Sequence, residues 1–244
     1  MDDRPTYYGH LTFNAPLSGW RTDAWAARLA GARPADVLDV SCGWGELLLR
    51  IVAACPATRG TGVDTDERLL ARAREAAGGR GLADRVGFVR RSATELTEPA
   101  DLVVCVGSSH ALADDRSAAL AGLFRLVRPG GRLLFGDGIW DPHGRVQENL
   151  VYDDMLALPD LAGLVDTAIG TGFRPLYVET ANRDESDAFE SGYLADDEEW
   201  LLTHAGHGEA ERIRIAADEH RARWLRGYRN GLGFAYLTLG RPAT

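Results

Sequence analysis

The stretch VLDVSCGWGELLLRI, Val37–Ile51, decides the fold: an apolar strand runs into an acid, a turn of small residues and an amphipathic helix. Val37, Leu38 and Val40 supply a buried strand with Asp39 near its end. Gly43 and Gly45 let the backbone come close to a ligand where a Cβ would intrude. Leu47, Leu48, Leu49 and Ile51 then give the helix a face to bury against a sheet. Nineteen residues beyond Gly45, in GTGVDTDERLL, Asp64 ends a second short strand and Thr65 follows it. An acid at that distance accepts both hydroxyls of a ribose. Together the two segments describe a nucleotide-type ligand on a strand-to-helix turn. A dinucleotide-dehydrogenase fingerprint starting at Gly43 needs glycine or alanine at position 48, and Leu48 stands there.

The rest of the chain continues the alternation. RVGFVRRSATEL, Arg85–Leu96, reads as a third strand ending in Ser92 and Ala93. DLVVCVGSSHAL, Asp101–Leu112, is a continuous apolar strand that opens into a polar tip, as a central parallel strand should. RLVRPGGRLLFGDGIW, Arg125–Trp140, holds a helix end, a Pro-Gly-Gly turn and a fifth strand. TGFRPLYVET, Thr171–Thr180, and GLGFAYLTLGRP, Gly231–Pro242, read as the last two strands. Two insertions interrupt the series. Residues 141–172 contain the helical pattern NLVYDDMLAL. Residues 181–230 carry a long helix in their second half, and one or two shorter helices are expected between Asp184 and Thr203.

This set of segments resembles the class I S-adenosylmethionine-dependent methyltransferases, whose first motif runs acid-x-Gly-Cys-Gly-x-Gly after the first strand. Asp39, Cys42, Gly43 and Gly45 match it in place, and Ser41 stands where the family usually has its first glycine. The resemblance implies a doubly wound, Rossmann-like α/β fold: seven strands, mostly parallel, the last one antiparallel, with a helical cap. The expected organisation is a single methyltransferase domain over 1–244. Its core is 35–180 plus 231–242, with an N-terminal flap over 1–34 and cap insertions at 141–172 and 181–230. Within the N-terminal segment, His10, Asn14, Pro16 and Ser18 fit a pattern similar to a bacterial small-molecule branch, the cyclopropane-fatty-acid-synthase-like methyltransferases.

What the resemblance implies for the site is specific. S-adenosylmethionine is the cofactor, contacted by Asp39, Ser41, Cys42, Gly43, Gly45, Asp64, Thr65, Ser92, Ala93 and Gly107. The family often has an acid where Ser92 stands. The tip of the fourth strand faces the methyl group, so His110 is the candidate general base, with Ser108 and Ser109 beside it to orient the acceptor. His110 also reads as a cap of the next helix. Asp137 binds or orients substrate, or caps a loop. Trp140, Tyr152, Trp200, Trp224 and Tyr228 line an apolar substrate chamber or serve as ordinary core residues. Trp44 lies on the methionine side of the cofactor or packs on the N-terminal segment.

Composition narrows the chemistry further. All 27 basic residues are arginine, so Schiff-base lysine chemistry and P-loop phosphoryl transfer drop out. A net charge of −9 with no basic stripe argues against nucleic acid as partner or substrate. No apolar run approaches the ~20 residues of a membrane span, and MDDRPTYY lacks a signal pattern, so a cytoplasmic protein with no membrane partner is expected. Cys42, Cys55 and Cys105 are odd in number and lack metal-ligand spacing. His204 and His207 in HAGH pair with His220 or Glu209 as a metal set, or belong to an exposed loop. Because the fourth-strand tip offers Gly107, Ser108, Ser109 and His110 rather than several carboxylates, metal-independent transfer to an oxygen or nitrogen of a small molecule is expected. Carbon methylation and cofactor binding without transfer are the alternatives.

Overall fold

The structure is a computed structural model and describes residues 7–243; residues 1–6 of the expected N-terminal flap lie outside the described residues. The chain divides into two compact units. One comprises Ser18–Asp137, Ala162–Thr180 and Ala235–Thr244, and the other Met1–Leu17, Gly138–Leu161 and Ala181–Phe234.

The first unit is built on seven strands: β1 (Asp36–Val40), β2 (Arg59–Asp64), β3 (Val86–Arg90), β4 (Ala100–Val106), β5 (Val127–Trp140), β6 (Arg174–Thr180) and β7 (Leu232–Gly240). They are ordered β3-β2-β1-β4-β5-β7-β6. Strands β3, β2, β1, β4 and β5 are joined by parallel ladders, and β6 pairs antiparallel with β7. The helices are α1 (Gly19–Ala30), α2 (Glu46–Ala54), α3 (Glu67–Gly79), α4 (Arg116–Leu126) and α5 (Leu161–Gly170). The chain winds from β1 outward to β3, then returns to lay β4 on the other side of β1. That reversal leaves the carboxyl ends of β1 and β4 as the crevice where an open α/β sheet takes its ligand.

The core explains the apolar runs. Val37, Val40, Val103, Val104, Leu133, Leu134 and Phe135 are buried on the strands, and Leu48, Leu49 and Ile51 of α2 have no exposed surface. Continuous burial of β4 matches a strand covered on both faces. At the opposite, amino end of the sheet, Arg128 joins Asp36 (2.6 Å) and Asp101 (2.8 Å), clasping β1, β4 and β5. The guanidinium holds the Asp36 carboxyl below the usual carboxylate range. α1 is capped by the Ser18 hydroxyl and packs Trp25 edge-on against Tyr236, while the Trp25 indole N–H donates to Glu179 at 3.0 Å.

The second unit holds α6 (Arg183–His204) and α7 (Ala210–Ala222), followed by a π-helical turn at Arg223–Tyr228. Two expectations are corrected here. Where one or two short helices were expected, α6 is a single helix of 22 residues. It starts from a capping box between Asn182 and Glu185 and passes through Gly192, where a Cβ would sit 2.7 Å from Leu11. That glycine serves close packing rather than a helix break. NLVYDDMLAL is not a helix but two 3-10 turns, Glu148–Leu150 and Asp153–Met155. Its backbone is held from outside: the Gln147 N–H donates to the Gly227 carbonyl, and the Met155 carbonyl accepts the Trp140 indole N–H at 2.7 Å. The N-terminal segment is also divided, with Leu11, Phe13 and Ala15 buried in this unit and α1 belonging to the sheet.

Candidate active site

The turn between β1 and α2 takes left-handed backbone in three places. Ser41 (φ +56°), Gly43 (φ +56°) and Gly45 (φ +72°) all lie in the left-handed region. Ser41 thus adopts the conformation for which the family's glycine is suited, at a steric cost. The turn is fixed by the Cys42 N–H on the Val63 carbonyl and the Gly45 N–H on the Cys42 carbonyl, both at 2.9 Å. A Cβ added at Gly45 would fall 2.5 Å from the Phe88 ring, and one at Gly62 would fall 2.7 Å from it. At Gly43 the same atom would meet nothing within 4 Å. Gly45 and Gly62 are therefore small to let the protein close on itself, and Gly43 is small on an open side. Trp44 is buried, with the Arg72 guanidinium 4.5 Å from its ring.

Asp64 is the acid that the turn holds in place. The Gly43 N–H donates to Oδ2 and the Asp66 N–H donates to Oδ1, each at 2.9 Å. One backbone donor on each oxygen fixes the plane of the carboxylate, and each ionised oxygen keeps a second acceptor position. Such a group fits the vicinal diol of a ribose. Asp39, at the end of β1, is fully buried, and desolvation with the nearby Asp64 charge pushes its pKa up to about 8. Burial also raises the Cys42 thiol and pushes the Cys105 thiol up to about 12, so neither is a thiolate at neutral pH.

The third strand ends at Arg90, earlier than the sequence suggests. Ser92 instead caps a 3-10 turn at Ala93–Glu95 through a capping box with Glu95, and Ala93 is buried. The Thr65 carbonyl accepts from Arg90 Nε at 3.2 Å. At the tip of β4, Gly107 is left-handed (φ +72°) and its N–H donates to the Gly136 carbonyl. The two serines there are tied to the protein: Ser108 Oγ donates to the Val40 carbonyl (3.2 Å) and Ser109 Oγ to Asp137 Oδ2 (2.8 Å). Arg116 Nε reaches the same Asp137 oxygen at 3.0 Å. Asp137 is buried in this network, while His110 is exposed on the 3-10 turn Ser109–Ala111. The sequence reading missed Arg116; as the first residue of α4 it carried no pattern of its own.

The five aromatic residues proposed for a substrate chamber belong to the second unit. The Trp140 indole is bonded to the Met155 carbonyl. Trp200 is buried beside Ala210 and Ile213, with the His204 ring stacked 4.5 Å from it. Trp224 is half-buried. Tyr152 and Tyr228 converge on two polar residues: the Tyr152 hydroxyl lies 3.4 Å from His220 Nδ1, His220 Nε2 lies 2.8 Å from Glu190, and the Tyr228 hydroxyl donates to Glu190 at 3.1 Å. No sequence signal singled out Glu190. His204 and His207 pack around Trp200, and among the described residues no three His, Cys, Asp or Glu side chains form a metal-holding group.

A family model described as "Methyltransferase domain" matches residues 37–131, from β1 through the turn that precedes the buried half of β5. The chain is 33% identical over 164 residues to the demethylmenaquinone methyltransferase of Thermus thermophilus, covering 66% of this chain and 72% of that protein. The chain belongs to the class I S-adenosylmethionine-dependent methyltransferases. This methyltransferase is also 35% identical to the 27-O-demethylrifamycin SV methyltransferase of Amycolatopsis mediterranei over 122 residues, 47% of this chain and 44% of that one. In structure it is similar to an SAM-dependent methyltransferase from Geobacter sulfurreducens solved with S-adenosyl-L-homocysteine. The TM-score is 0.83 at 23% identity, with 93% of this chain and 92% of that chain covered. Family membership makes S-adenosylmethionine its methyl donor. Among the described residues, no helix is long and apolar enough to cross a membrane.

Proposed function

We propose that this methyltransferase transfers a methyl group to an oxygen or nitrogen of a small-molecule acceptor, without a metal ion. The observation that carries the reading is the tip of β4, where an exposed imidazole, His110, follows two serines whose hydroxyls are already engaged. An imidazole there takes the proton that an oxygen or nitrogen acceptor must lose, whereas Ser108 and Ser109 position backbone. Asp137 orients this tip through Ser109. Its pairing with the Arg116 guanidinium commits the carboxylate to a cation of the protein itself, which supports metal-independent transfer.

In this reading Asp64 accepts the ribose hydroxyls, Gly43 admits the methionine portion with Ser41 and Cys42 while Gly45 lets the turn close on Phe88, Thr65, Ser92 and Ala93 flank the adenine, and Gly107 leaves room at the methyl end. Bound there, the cofactor supplies an electrophilic methyl group. The protein's part is to hold the acceptor in line with it and to receive the proton. Titration with S-adenosylhomocysteine, then turnover on a panel of phenols, alcohols and amines with and without a chelator, tests the proposal. Turnover of a hydroxyl or amine that survives chelation supports it, and turnover restored only by added divalent cation overturns the metal-independent part.

A second reading, methylation at carbon, is favoured by the relative from Proteus mirabilis, 31% identical over 119 residues, whose name makes it a C-methyltransferase of ubiquinone and menaquinone biosynthesis. Carbon-13 spectra of the product formed from labelled methyl donor separate carbon from oxygen and nitrogen attachment.

A further inference from the structure

The amino end of the sheet, opposite the crevice, holds a cleft that the transfer reaction leaves unused. Its volume is about 280 Å³, and it lies wholly within the first unit, lined from the end of α1 and from the turn that opens β5. Leu29 and Leu102, both buried, supply its apolar lining, and the Gly130–Gly131 turn borders it without long side chains. Two arginines complete it. Arg33 is exposed on the loop after α1, and Arg132 is half-buried on β5, in register with Leu102 of β4.

Neither guanidinium has a hydrogen-bond or ion-pair partner among the described residues. The charges beside them are already matched. Asp101 also lines the cleft, but its Oδ2 accepts the Ala35 N–H and its Oδ1 accepts from Arg128, both at 2.8 Å, while Asp36 takes the other side of Arg128. Three guanidinium groups against two carboxylates leave this end of the sheet positive in a chain whose net charge is −9. An arginine that gives up part of its hydration on a strand ordinarily takes a counter-charge, and Arg132 has none from the protein. Arg33 is unusual in its backbone as well. Its φ of +50° is a left-handed value that suits glycine or asparagine after a helix, and Pro34 follows it. The side chain is what glycine there could not supply.

We propose that this cleft binds a small phosphate monoester, with the phosphoryl group on Arg33 and Arg132 and the organic part against Leu29 and Leu102. Two planar forks carried by different elements suit a dianion with three terminal oxygens better than a monocarboxylate, whose two oxygens a single guanidinium engages. At about 280 Å³ the cleft falls below the ~300–1,000 Å³ of pockets for drug-sized ligands, so the organic part is a short chain rather than a nucleoside. Asp101 at the cleft and Val106 at the far end of β4 are roughly 17 Å apart along the strand. The anion therefore does not compete for the cofactor's crevice.

Calorimetric titrations of the full chain with glycerol 3-phosphate, inorganic phosphate and glycerol, each with and without S-adenosylhomocysteine, test the site. Expected are saturable one-site binding of glycerol 3-phosphate, weaker binding of inorganic phosphate at the same site, no binding of glycerol, and affinities unchanged by S-adenosylhomocysteine. Arg132→Gln and Arg33→Gly should each weaken glycerol 3-phosphate roughly tenfold or more. Arg132→Lys should recover only part of that loss, because an ammonium lacks the fork. Arg33→Gly is the sharper probe: it removes the guanidinium and fills a left-handed position with less strain, so the thermal midpoint should hold or rise while affinity falls. Arg125→Gln is the control, since Arg125 on α4 is likewise exposed and without a partner among the described residues. An equal loss in Arg125→Gln would reduce the binding to diffuse attraction and overturn the site. An affinity unmoved by Arg33→Gly, or competition by S-adenosylhomocysteine, would overturn it too, and tighter binding of inorganic phosphate than of glycerol 3-phosphate would overturn the monoester. If Arg132→Gln fails to fold, Arg33→Gly still decides.

Discussion

The backbone N–H of Gly43 donates to Oδ2 of Asp64 at 2.9 Å, joining the turn after β1 to the acid that ends β2. The two motifs that announce the cofactor site in sequence are therefore one hydrogen-bonded unit. With the Asp66 N–H on the other oxygen, the carboxylate has a single orientation before any ligand arrives. Asp64→Ala should lower affinity for S-adenosylhomocysteine by about 2–4 kcal/mol. Asp64→Asn should lose nearly as much, because its amide nitrogen must face one of two N–H donors. Calorimetry measures both, and unchanged affinity in either would remove Asp64 from the site.

The glycines of the turn should separate binding from stability. Gly43→Ala places a Cβ in open space at φ +56°, so the fold should lose only about 1–2 kcal/mol of strain energy while cofactor binding falls sharply. Gly45→Ala drives a Cβ to 2.5 Å from Phe88 and should destabilise the fold by roughly 2–5 kcal/mol. Thermal unfolding of both variants beside a cofactor titration checks the contrast, and the reverse pattern would refute it.

Asp39 makes the free protein sensitive to alkali. Its folded pKa, about 8, lies above that of an unfolded aspartate, so the native state holds the proton more tightly. The stability it contributes is present at low pH and is lost as pH rises toward 8. Asp39→Asn, neutral throughout, should therefore match the parent only below about pH 4, exceed its thermal midpoint by a growing margin from there to about pH 8, and keep that margin at pH 9. Asp36, held low by Arg128, acts in the opposite direction, and its contribution is lost only as pH falls below the ordinary carboxylate range. A difference between parent and variant that is constant across pH would show that Asp39 stays ionised.

His110 tests proton transfer against simple positioning. His110→Ala should cut turnover on a hydroxyl acceptor by roughly 10²–10⁴-fold with cofactor affinity retained. His110→Gln should recover little, since an amide orients but takes no proton. Near-full activity in the glutamine variant would make the histidine an orienting group and would favour an acceptor already nucleophilic, such as an electron-rich carbon.

The sequence by itself determined the sheet and the tight turn between β1 and α2. Alternating apolar strands and amphipathic helices admit few parallel arrangements, and the left-handed positions at Gly43, Gly45 and Gly107 are ones glycine fills with least strain. Asp39 and Asp64 were legible because a strand end fixes where a side chain must emerge. What the tertiary structure alone decided is which polar groups meet. That Ser109 and Arg116 converge on Asp137, and that Glu190 gathers His220 and Tyr228, follows from helices packing at distances sequence spacing does not encode. The insertions were least legible for the same reason. Within the single helix α6 Gly192 packs closely against Leu11, and NLVYDDMLAL looks helical until its neighbours take up backbone groups around it. Local pattern governs where the backbone satisfies itself; where partners come from distant segments, packing settles the outcome.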